Sequence, residues 1–269
     1  MRSVIVLLLA FSMFLSGCQA PFSQKESKTT LSEREPVLFE PFSIPENFIP
    51  QRINVLGLGD SLTQGVGDER KEGGYFGRLT TDMEQWKGVL EVEAINLAKR
   101  GRRSDQLLQQ LEDPNVQQAI IQADYIVFTI GGNDLMKVVK GSFMKMKLAD
   151  FYKELGKFEV RIDELFEILR LYNPSAPIIV AGLYNPFSVL TDEVHEFDEI
   201  IEDWNHSLEE RAQRDGTACF VRVEDLFHSN TNLVYHTDFF HPNSKGYDQM
   251  EERFVEEIKS CPAVTLEVE

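Results

Sequence analysis

The chain has 269 residues, of which 26% are charged and 42% are hydrophobic, which suffices for one compact domain and excludes disorder for most of its length. Its 44 acidic residues outnumber its 27 basic residues and give a formal net charge of −17, so the composition disfavours a nucleic-acid partner and electrostatic attraction to anionic lipid. Three cysteines are too few for a disulfide framework.

The first eighteen residues have the pattern of a processing signal. Arg2 is the only charged residue before Cys18, and the apolar run over residues 4–15 is too short to span a bilayer, which takes roughly twenty residues. The run ends in Leu15-Ser16-Gly17-Cys18, which resembles a bacterial lipobox. In a lipobox the cysteine is acylated and becomes the new N-terminus. The alternatives are an ordinary signal peptide or a buried N-terminal helix.

Residues 18–44 have the composition of a flexible tether. They are polar, they lack periodicity, and prolines interrupt them. A lipid on Cys18 would hold a soluble domain, residues 45–269, close to a membrane without embedding it. The N-terminal pattern therefore predicts removal of residues 1–17 and an extracytoplasmic protein anchored to the bacterial cell membrane through Cys18.

Beyond the tether, strand patterns alternate with helical patterns. Residues 124–130, for example, form a continuous apolar run, which is typical of a strand covered on both faces. The predicted strands are 53–58, 91–96, 124–130, 177–183 and 217–223. The predicted helices are 75–86, 104–111, 116–122, 151–171, 193–214 and 244–260, the last with Ser244 as its N-cap. This alternation predicts a five-stranded parallel sheet in a three-layer α/β/α sandwich, without a second domain.

Polar residues follow two of these strands, and a third polar segment lies near the C-terminus. In such sheets ligands bind at the carboxyl ends of the strands, so chemistry is expected there. The first strand is followed by Gly59-Asp60-Ser61-Leu62, and the third by Gly131-Gly132-Asn133-Asp134. The segment Asp238-Phe239-Phe240-His241 lies before the last helix.

These residue types fit nucleophilic catalysis. A serine hydroxyl is a weak nucleophile until a base removes its proton, and histidine can do so near neutral pH. A carboxylate then has to fix the histidine tautomer and stabilise its cation. Asp238 lies three residues before His241 and can serve if the segment turns back on itself. Asp60 and Asp134 are interpreted as structural residues.

Four segments resemble the conserved blocks of the SGNH, or GDSL, hydrolases. Gly59 to Leu62 is similar to block I, Gly101 to the glycine of block II, Gly131 to Asp134 to block III and Asp238 to His241 to block V. The resemblance covers about residues 53–260, and with the lipobox the chain is similar to lipid-anchored GDSL-type lipases and esterases of Gram-positive bacteria. The implied fold is the flavodoxin-like SGNH hydrolase sandwich.

The resemblance also implies roles for individual residues. Ser61 would attack an ester carbonyl, with His241 as general base and Asp238 orienting it. The backbone N–H groups of Ser61 and Gly101 and the side-chain amide of Asn133 would form the oxyanion hole. No metal or organic cofactor would be needed. The substrate would be a lipid, a short-chain ester or an O-acetyl group on a glycan.

Other functions use the same residues or the same cleft. A non-catalytic surface lipoprotein would use the cleft to bind a ligand, although it would have no use for an aligned nucleophile and base. An acyltransferase would pass the acyl group to an acceptor other than water. His236 is the rival base, and a metal site formed by His236, Asp238 and His241 is a further alternative.

Several features near these blocks allow two interpretations. Arg102 and Arg103 either favour an anionic substrate or are solvated at the head of a helix. Phe239 and Phe240 either line an acyl pocket or belong to the core. Residues 135–172 either form a lid or one wall of the pocket, in which Met136, Phe143, Met144 and Met146 would be a flexible apolar lining, or belong to the core.

Two cysteines lie in the predicted domain. Cys219 is within an apolar run and is interpreted as a small buried hydrophobic residue. A bond to Cys261 is the alternative in an oxidising compartment.

Overall fold

Five strands form one sheet in the computed structural model, which describes residues 49–142, 147–187, 195–227 and 234–261. The strands are β1 (Gln51–Gly59), β2 (Val89–Asn96), β3 (Tyr125–Thr129), β4 (Ile178–Ala181) and β5 (Ala218–Val221). Their order is β2-β1-β3-β4-β5, and every neighbouring pair is parallel. The predicted five-stranded parallel sheet is confirmed. The N-terminal predictions, including those for Cys18, lie outside the described residues.

Eight α-helices and one short 3₁₀ helix are found in the described ranges. The α-helices are α1 (Ser61–Gln64), α2 (Gly74–Met83), α3 (Ser104–Gln110), α4 (Pro114–Gln122), α5 (Gly132–Ser142), α6 (Leu148–Tyr172), α7 (His195–Asp215) and α8 (Ser244–Ser260). The 3₁₀ helix is Glu224–Phe227. None of the described helices is both long and apolar enough to cross a bilayer.

Two helices and one cap differ from the sequence prediction. Neither α1 nor α5 was predicted, because α1 is only four residues long and α5 begins within the pair Gly131-Gly132, which resembles a loop. The N-cap of α8 is Asn243 rather than Ser244. The side chain of Asn243 accepts a hydrogen bond from the backbone N–H of Gly246, and Ser244 is the first helical residue.

Helices cover both faces of the sheet because successive side chains of each buried strand point to opposite sides. On one face, Ile126 and Phe128 of β3 share an apolar cluster with residues of α3 to α7, including Phe158 and Trp204. On the other face, Val127 belongs to a second cluster, which contains residues of α2 and α8. Each large side chain buried in this way contributes about 1.5–3 kcal/mol of transfer free energy. The two clusters make the predicted three-layer sandwich.

The segment 135–172 is mostly part of this sandwich and not a separate lid. Helix α6 buries Phe158, Ile162 and Phe166 in the apolar cluster that covers the sheet. Leu135 and Met136 of α5 line a cleft at the end of the sheet. Phe143, Met144 and Met146 lie outside the described residues. The segment therefore supplies a core helix and part of one pocket wall.

The strand order determines where a ligand can bind. The chain leaves β1 toward β2 on one side and then crosses to β3 on the other side, so the connections diverge between β1 and β3. A crevice is expected at the carboxyl ends of strands at such a point. Ser61 follows β1 and Asn133 follows β3, which places both beside this crevice.

Cys219 and Cys261 form a disulfide bond. Cys219 lies in β5, and Cys261 caps the C-terminal end of α8, so the bond joins an edge strand to the last described helix. The interpretation of Cys219 as an unpaired hydrophobic residue was wrong. Asp238 and His241 lie between the two cysteines in the chain.

Candidate active site

Ser61 lies at the sharp turn where β1 passes into α1. Gly59 has a φ of +95°, and a Cβ at this position would lie 2.0 Å from the backbone oxygen of Thr129. The carboxylate of Asp60 then accepts a hydrogen bond from the backbone N–H of Leu62 at 3.1 Å and caps α1. Ser61 is the first helical residue, so its own N–H has no acceptor within the helix. The turn thus presents both the hydroxyl and the backbone N–H of Ser61 at the carboxyl end of β1.

Three predicted catalytic side chains form a continuous hydrogen-bonded chain. The Oγ atom of Ser61 lies 3.0 Å from Nε2 of His241, and Nδ1 of His241 lies 2.6 Å from Oδ2 of Asp238. The other carboxylate oxygen of Asp238 accepts hydrogen bonds from the backbone N–H groups of Phe240 and His241 at 3.0 and 2.9 Å. These bonds stabilise the turn that brings the carboxylate of Asp238 next to the ring of His241. In this arrangement the proton on Nδ1 points to Asp238, and Nε2 is available to accept the proton of Ser61.

The surroundings keep His241 neutral and Asp238 ionised at neutral pH. Burial lowers the pKa of His241 below its usual 6.5 and outweighs the opposite effect of Asp238, while the positive charge of Arg100 lowers it further. Burial raises the pKa of Asp238, but the hydrogen bonds from His241 and Phe240 outweigh burial and lower it to about 2. A neutral imidazole beside a carboxylate is the protonation state that a general base needs.

We expect kcat/KM for an ester to fall on acidification, with a midpoint below pH 6.5. Below its lowered pKa, His241 is protonated and cannot accept the proton of Ser61. Asp238 adds no second fall until about pH 2, because it stays ionised down to that value. Initial rates between pH 4 and 9 at constant ionic strength would measure the midpoint.

Protonation of Asp60 is the other titration that would lower the activity in this pH range. Burial raises its pKa to about 6, against the hydrogen bonds from Thr129 and Leu62. The substitution Asp60→Asn keeps an oxygen acceptor and removes the titration. If the acidic fall in activity disappears in Asp60→Asn, the assignment of the fall to His241 is wrong.

A chain of buried, hydrogen-bonded hydroxyl groups stabilises the turn that carries Ser61. The hydroxyl of Thr129 donates to Asp60 at 2.7 Å, and Oγ1 of Thr63 lies 2.9 Å from that of Thr129. The hydroxyl of Tyr75 lies 2.6 Å from Oγ1 of Thr63. The network ties α1 to β3 and α2, and sequence reasoning missed it. The sequence feature that could have indicated this network is Thr129, the only threonine or serine in the apolar run 124–130.

Asn133 and the Gly101 loop are in direct contact. The side-chain amide of Asn133 donates one hydrogen bond to the backbone oxygen of Arg102 at 3.1 Å, and Asn133 lines the same cleft as Ser61. Because an amide NH₂ has two hydrogens, one remains for a ligand. Gly101 has a φ of +78° with open space around it, so its conformation rather than crowding favours glycine. Gly101 lines a neighbouring groove and not the cleft itself.

Asp134 connects the segment that carries Asn133 to the Gly101 loop by hydrogen bonds. It is fully buried and accepts hydrogen bonds from the backbone N–H of Ser104 at 2.9 Å and from its hydroxyl at 2.6 Å. Arg161 of α6 compensates the charge at 3.3 Å. Asp134 therefore holds the start of α3, which follows the Gly101 loop, against the start of α5, which carries Asn133. This agrees with its interpretation as a structural residue.

Arg102 and Arg103 are occupied by local contacts. The guanidinium of Arg102 donates to the backbone oxygen of Leu97 at 2.8 Å and to the side chain of Gln110 at 2.5 Å. Arg103 forms an ion pair with Asp105 at 3.0 Å. Both guanidinium groups are thus held by contacts within the chain, and Arg102 also lines the groove beside Gly101.

The cleft beside Ser61 has apolar walls. Its apolar lining includes Leu62, Leu135, Met136, Leu183, Ile201 and Phe240. Phe240 thus faces the cleft, whereas Phe239 is 53% exposed and has a φ of +52°. The hydroxyl of Tyr184 donates to the backbone oxygen of Phe240 at 2.6 Å and fixes the loop that carries His241. The two phenylalanines therefore have different surroundings.

His236 does not take the place of the base. Its backbone N–H donates to the backbone oxygen of His241 at 2.8 Å, and its Nδ1 lies 3.8 Å from Asp238, while Nε2 of His241 contacts Ser61. Among the described residues, no group of three His, Cys, Asp or Glu side chains is arranged to hold a metal ion.

Comparison with known proteins relates this chain to a defined family. The model of the GDSL-like lipase/acylhydrolase family matches residues 58–249. The chain is 34% identical over 261 residues to the "uncharacterized protein YpmR" of Bacillus subtilis, covering 96% of this chain and 94% of YpmR. It is 27% identical over 204 residues to the spore germination lipase LipC of Bacillus licheniformis, covering 73% of this chain and 92% of LipC.

Solved structures show the same fold. The lipase Lip_vut3 from a goat rumen metagenome superposes with a TM-score of 0.69 at 25% identity, covering 80% of this chain and all of that one. The acetylxylan esterase Axe2 from Geobacillus stearothermophilus gives a TM-score of 0.58 at 18% identity, covering 78% of this chain and 95% of Axe2. The second likeness concerns the fold alone.

Proposed function

This chain belongs to the GDSL-like lipase/acylhydrolase family, and we propose that it is a serine esterase or lipase that hydrolyses esters of apolar acyl groups through an acyl-enzyme on Ser61. The observation that carries the proposal is the hydrogen-bonded chain from Ser61 through His241 to Asp238. A serine, a base and an orienting carboxylate in this geometry serve nucleophilic acyl transfer on several unrelated folds.

Acylation begins with attack of Ser61 Oγ on the ester carbonyl carbon. As the new C–O bond forms, the proton of Ser61 passes to Nε2 of His241, and Asp238 stabilises the resulting imidazolium. The carbonyl oxygen becomes an oxyanion, which the N–H of Ser61, the N–H of Gly101 and the amide of Asn133 would stabilise. Each such donor contributes about 3 kcal/mol. The intermediate then expels the alcohol, which takes the proton from His241.

Deacylation repeats the same steps with water. His241 removes a proton from a water molecule as its oxygen attacks the acyl carbon, and the same donors stabilise the second oxyanion. Ser61 then leaves with the proton that His241 returns. The products are a carboxylic acid and the free enzyme, so atoms and protons balance without a cofactor.

The walls of the cleft support an apolar acyl group as substrate. Leu135, Met136 and Leu183 would contact the acyl chain next to Ser61. Such a lining favours the acyl chain of a lipid or of a longer ester over the acetyl group of a glycan. The similarity to LipC, whose name describes a lipase, points in the same direction.

We further propose that this domain acts outside the cytoplasm on a lipid anchor. The lipobox-like sequence before Cys18 supports acylation of that residue, and the polar residues 18–44 would be the tether. The disulfide bond between Cys219 and Cys261 supports an oxidising compartment, because such bonds rarely persist in the cytosol.

Turnover of p-nitrophenyl esters with acyl chains from acetyl to palmitoyl tests the proposed reaction. We expect hydrolysis, with kcat/KM increasing beyond acetyl because longer chains bury more apolar surface in the cleft. Highest activity on the acetyl ester would contradict the apolar acyl specificity. Absence of turnover together with no labelling of Ser61 by a fluorophosphonate would favour a non-catalytic binding protein. Labelling and rapid acyl transfer to an added alcohol, faster than hydrolysis, would favour an acyltransferase.

A further inference from the structure

Two exposed basic residues lie next to each other beside the site. Lys99 and Arg100 lie on the loop between β2 and α3, and both are exposed. Neither forms an ion pair within the ranges that the structure describes, in contrast to Arg103. They place two adjacent positive charges on a chain whose formal net charge is −17.

The loop that carries these cations borders the catalytic groups on two sides. The backbone N–H of Arg100 donates to the side chain of Gln64 at 2.6 Å, three residues after Ser61. On the other side, the backbone oxygen of Arg102 accepts from the amide of Asn133. Arg100 also lies close enough to His241 for its charge to disfavour the protonated imidazole. The loop with the two cations therefore contacts both the segment that follows Ser61 and the side chain of Asn133, which places it at the rim of the site.

A groove at this rim has a lining that suits an anion. It is lined by Lys99, Arg100, Gly101, Arg102, Gln106 and Gln109, so it offers charged and amide donors around one space. Phosphate oxygens accept several such hydrogen bonds at once. The groove is polar, whereas the cleft that Ser61 lines is mostly apolar. The apolar cleft thus suits the acyl part of an ester, and the polar groove suits an alcohol part that carries an anionic group.

We propose that Lys99 and Arg100 form a subsite for a phosphate group on the alcohol part of the ester. This inference rests on the proposed esterase function and narrows its substrate to an acylated, phosphate-bearing alcohol. His241 gives its proton to the leaving alcohol, so the alcohol part lies beside His241, and the groove with Lys99 and Arg100 would hold the phosphate that this alcohol carries. The acyl chain then occupies the apolar cleft. A phospholipid headgroup and a phosphate-containing polymer share this chemistry.

The test compares two esters that differ only in the phosphate, 1-butyrylglycerol and 1-butyrylglycerol 3-phosphate. We expect kcat/KM of the wild-type protein to be roughly tenfold higher for the phosphate ester, as two exposed charge pairs permit. In the double variant Lys99→Gln/Arg100→Gln this ratio should fall to about one. The control Lys87→Gln/Lys259→Gln removes two exposed positive charges elsewhere and should keep the wild-type ratio. A double variant that keeps the preference, or a wild type without one, overturns the proposal.

Salt dependence gives a second measurement that needs no variant. The wild-type ratio should decrease between 0.05 and 0.5 M NaCl, since salt screens exposed charges. A ratio that is independent of salt overturns the subsite. If neither ester is hydrolysed, the esterase function fails as well. If both are hydrolysed at equal rates, only the subsite fails.

Two larger substrates distinguish the sources of the phosphate. One is lysophosphatidylglycerol in detergent micelles, and the other is acylated poly(glycerol phosphate). Loss of activity in Lys99→Gln/Arg100→Gln on the first supports a lipid headgroup, and loss on the second supports a polymer. Equal activity of variant and wild type on both substrates contradicts the proposal.

Discussion

Replacing Ser61 with alanine is expected to lower kcat for ester hydrolysis by about 10⁴-fold or more, because the protein loses the atom that attacks the carbonyl. Stability should change little. The side chain of Ser61 is hydrogen-bonded to His241, while the backbone of the turn is held by Gly59 and Asp60. Initial rates with p-nitrophenyl butyrate and a thermal melt of both proteins would measure the two effects.

A serine outside the site provides the matched control. Ser207 lies on α7, bonds Glu159 of α6 and does not line the cleft beside Ser61, so Ser207→Ala should retain wild-type kcat. Retention of more than about a tenth of the wild-type rate in Ser61→Ala would mean that another residue is the nucleophile. In that case a fluorophosphonate would label the variant and identify the residue.

Replacing Asn133 with alanine should lower kcat by about 10²–10³-fold and leave KM nearly unchanged. The expected loss is that of one oxyanion donor, which acts on the transition state and not on the bound substrate. The structure supports this role because the backbone oxygen of Arg102 orients the amide, whose second hydrogen remains available beside Ser61. Steady-state kinetics on one p-nitrophenyl ester would separate kcat from KM.

The substitution Asn133→Asp distinguishes oxyanion binding from helix capping. Asn133 is the second residue of α5, and aspartate stabilises the start of a helix at least as well as asparagine. A carboxylate would repel the oxyanion, so Asn133→Asp should be as inactive as Asn133→Ala while it remains folded. An aspartate variant with wild-type kcat would show that Asn133 only supports the helix. Asn115→Ala, at the exposed start of α4, is the control for loss of an asparagine near a helix N-terminus.

Much of the fold could be predicted because buried segments are recognisable in the sequence by their apolar residues. Strands β3 and β4 are covered on both faces, so their residues are apolar except for Thr129 at the end of β3. The ends of the strands were less certain, since pairing with neighbouring strands and not local composition determines them. Helix α5 was missed because Gly131 adopts a φ of +114° immediately before it, and a glycine pair usually indicates a loop.

The candidate site could be predicted only in part. Ser61, Asp238 and His241 were located by residue type and by their positions after strands, and the structure brings them into contact. The direction of the basic side chains could not be predicted, since it depends on the backbone turn at Gly101. The sequence suggested Arg102 and Arg103 as charges near the site, whereas both are held by local contacts.

The pairing of Cys219 with Cys261 could not be predicted from the sequence either. A separation of 42 residues does not indicate whether two side chains meet, because only the sheet order and the docking of α8 bring them together. An apolar run around Cys219 fits both a bonded and an unbonded cysteine.

The bond between Cys219 and Cys261 makes the segment with Asp238 and His241 part of a closed covalent ring. Ser61 and His241 are 180 residues apart in sequence, so an open chain would have to search a large volume for their contact. The ring removes about 4 kcal/mol of conformational entropy from the unfolded chain. It also keeps the base tethered to β5 when the surrounding helices open locally. As long as β1 and β5 remain in one sheet, the segment with His241 therefore stays attached to the same sheet that positions Ser61.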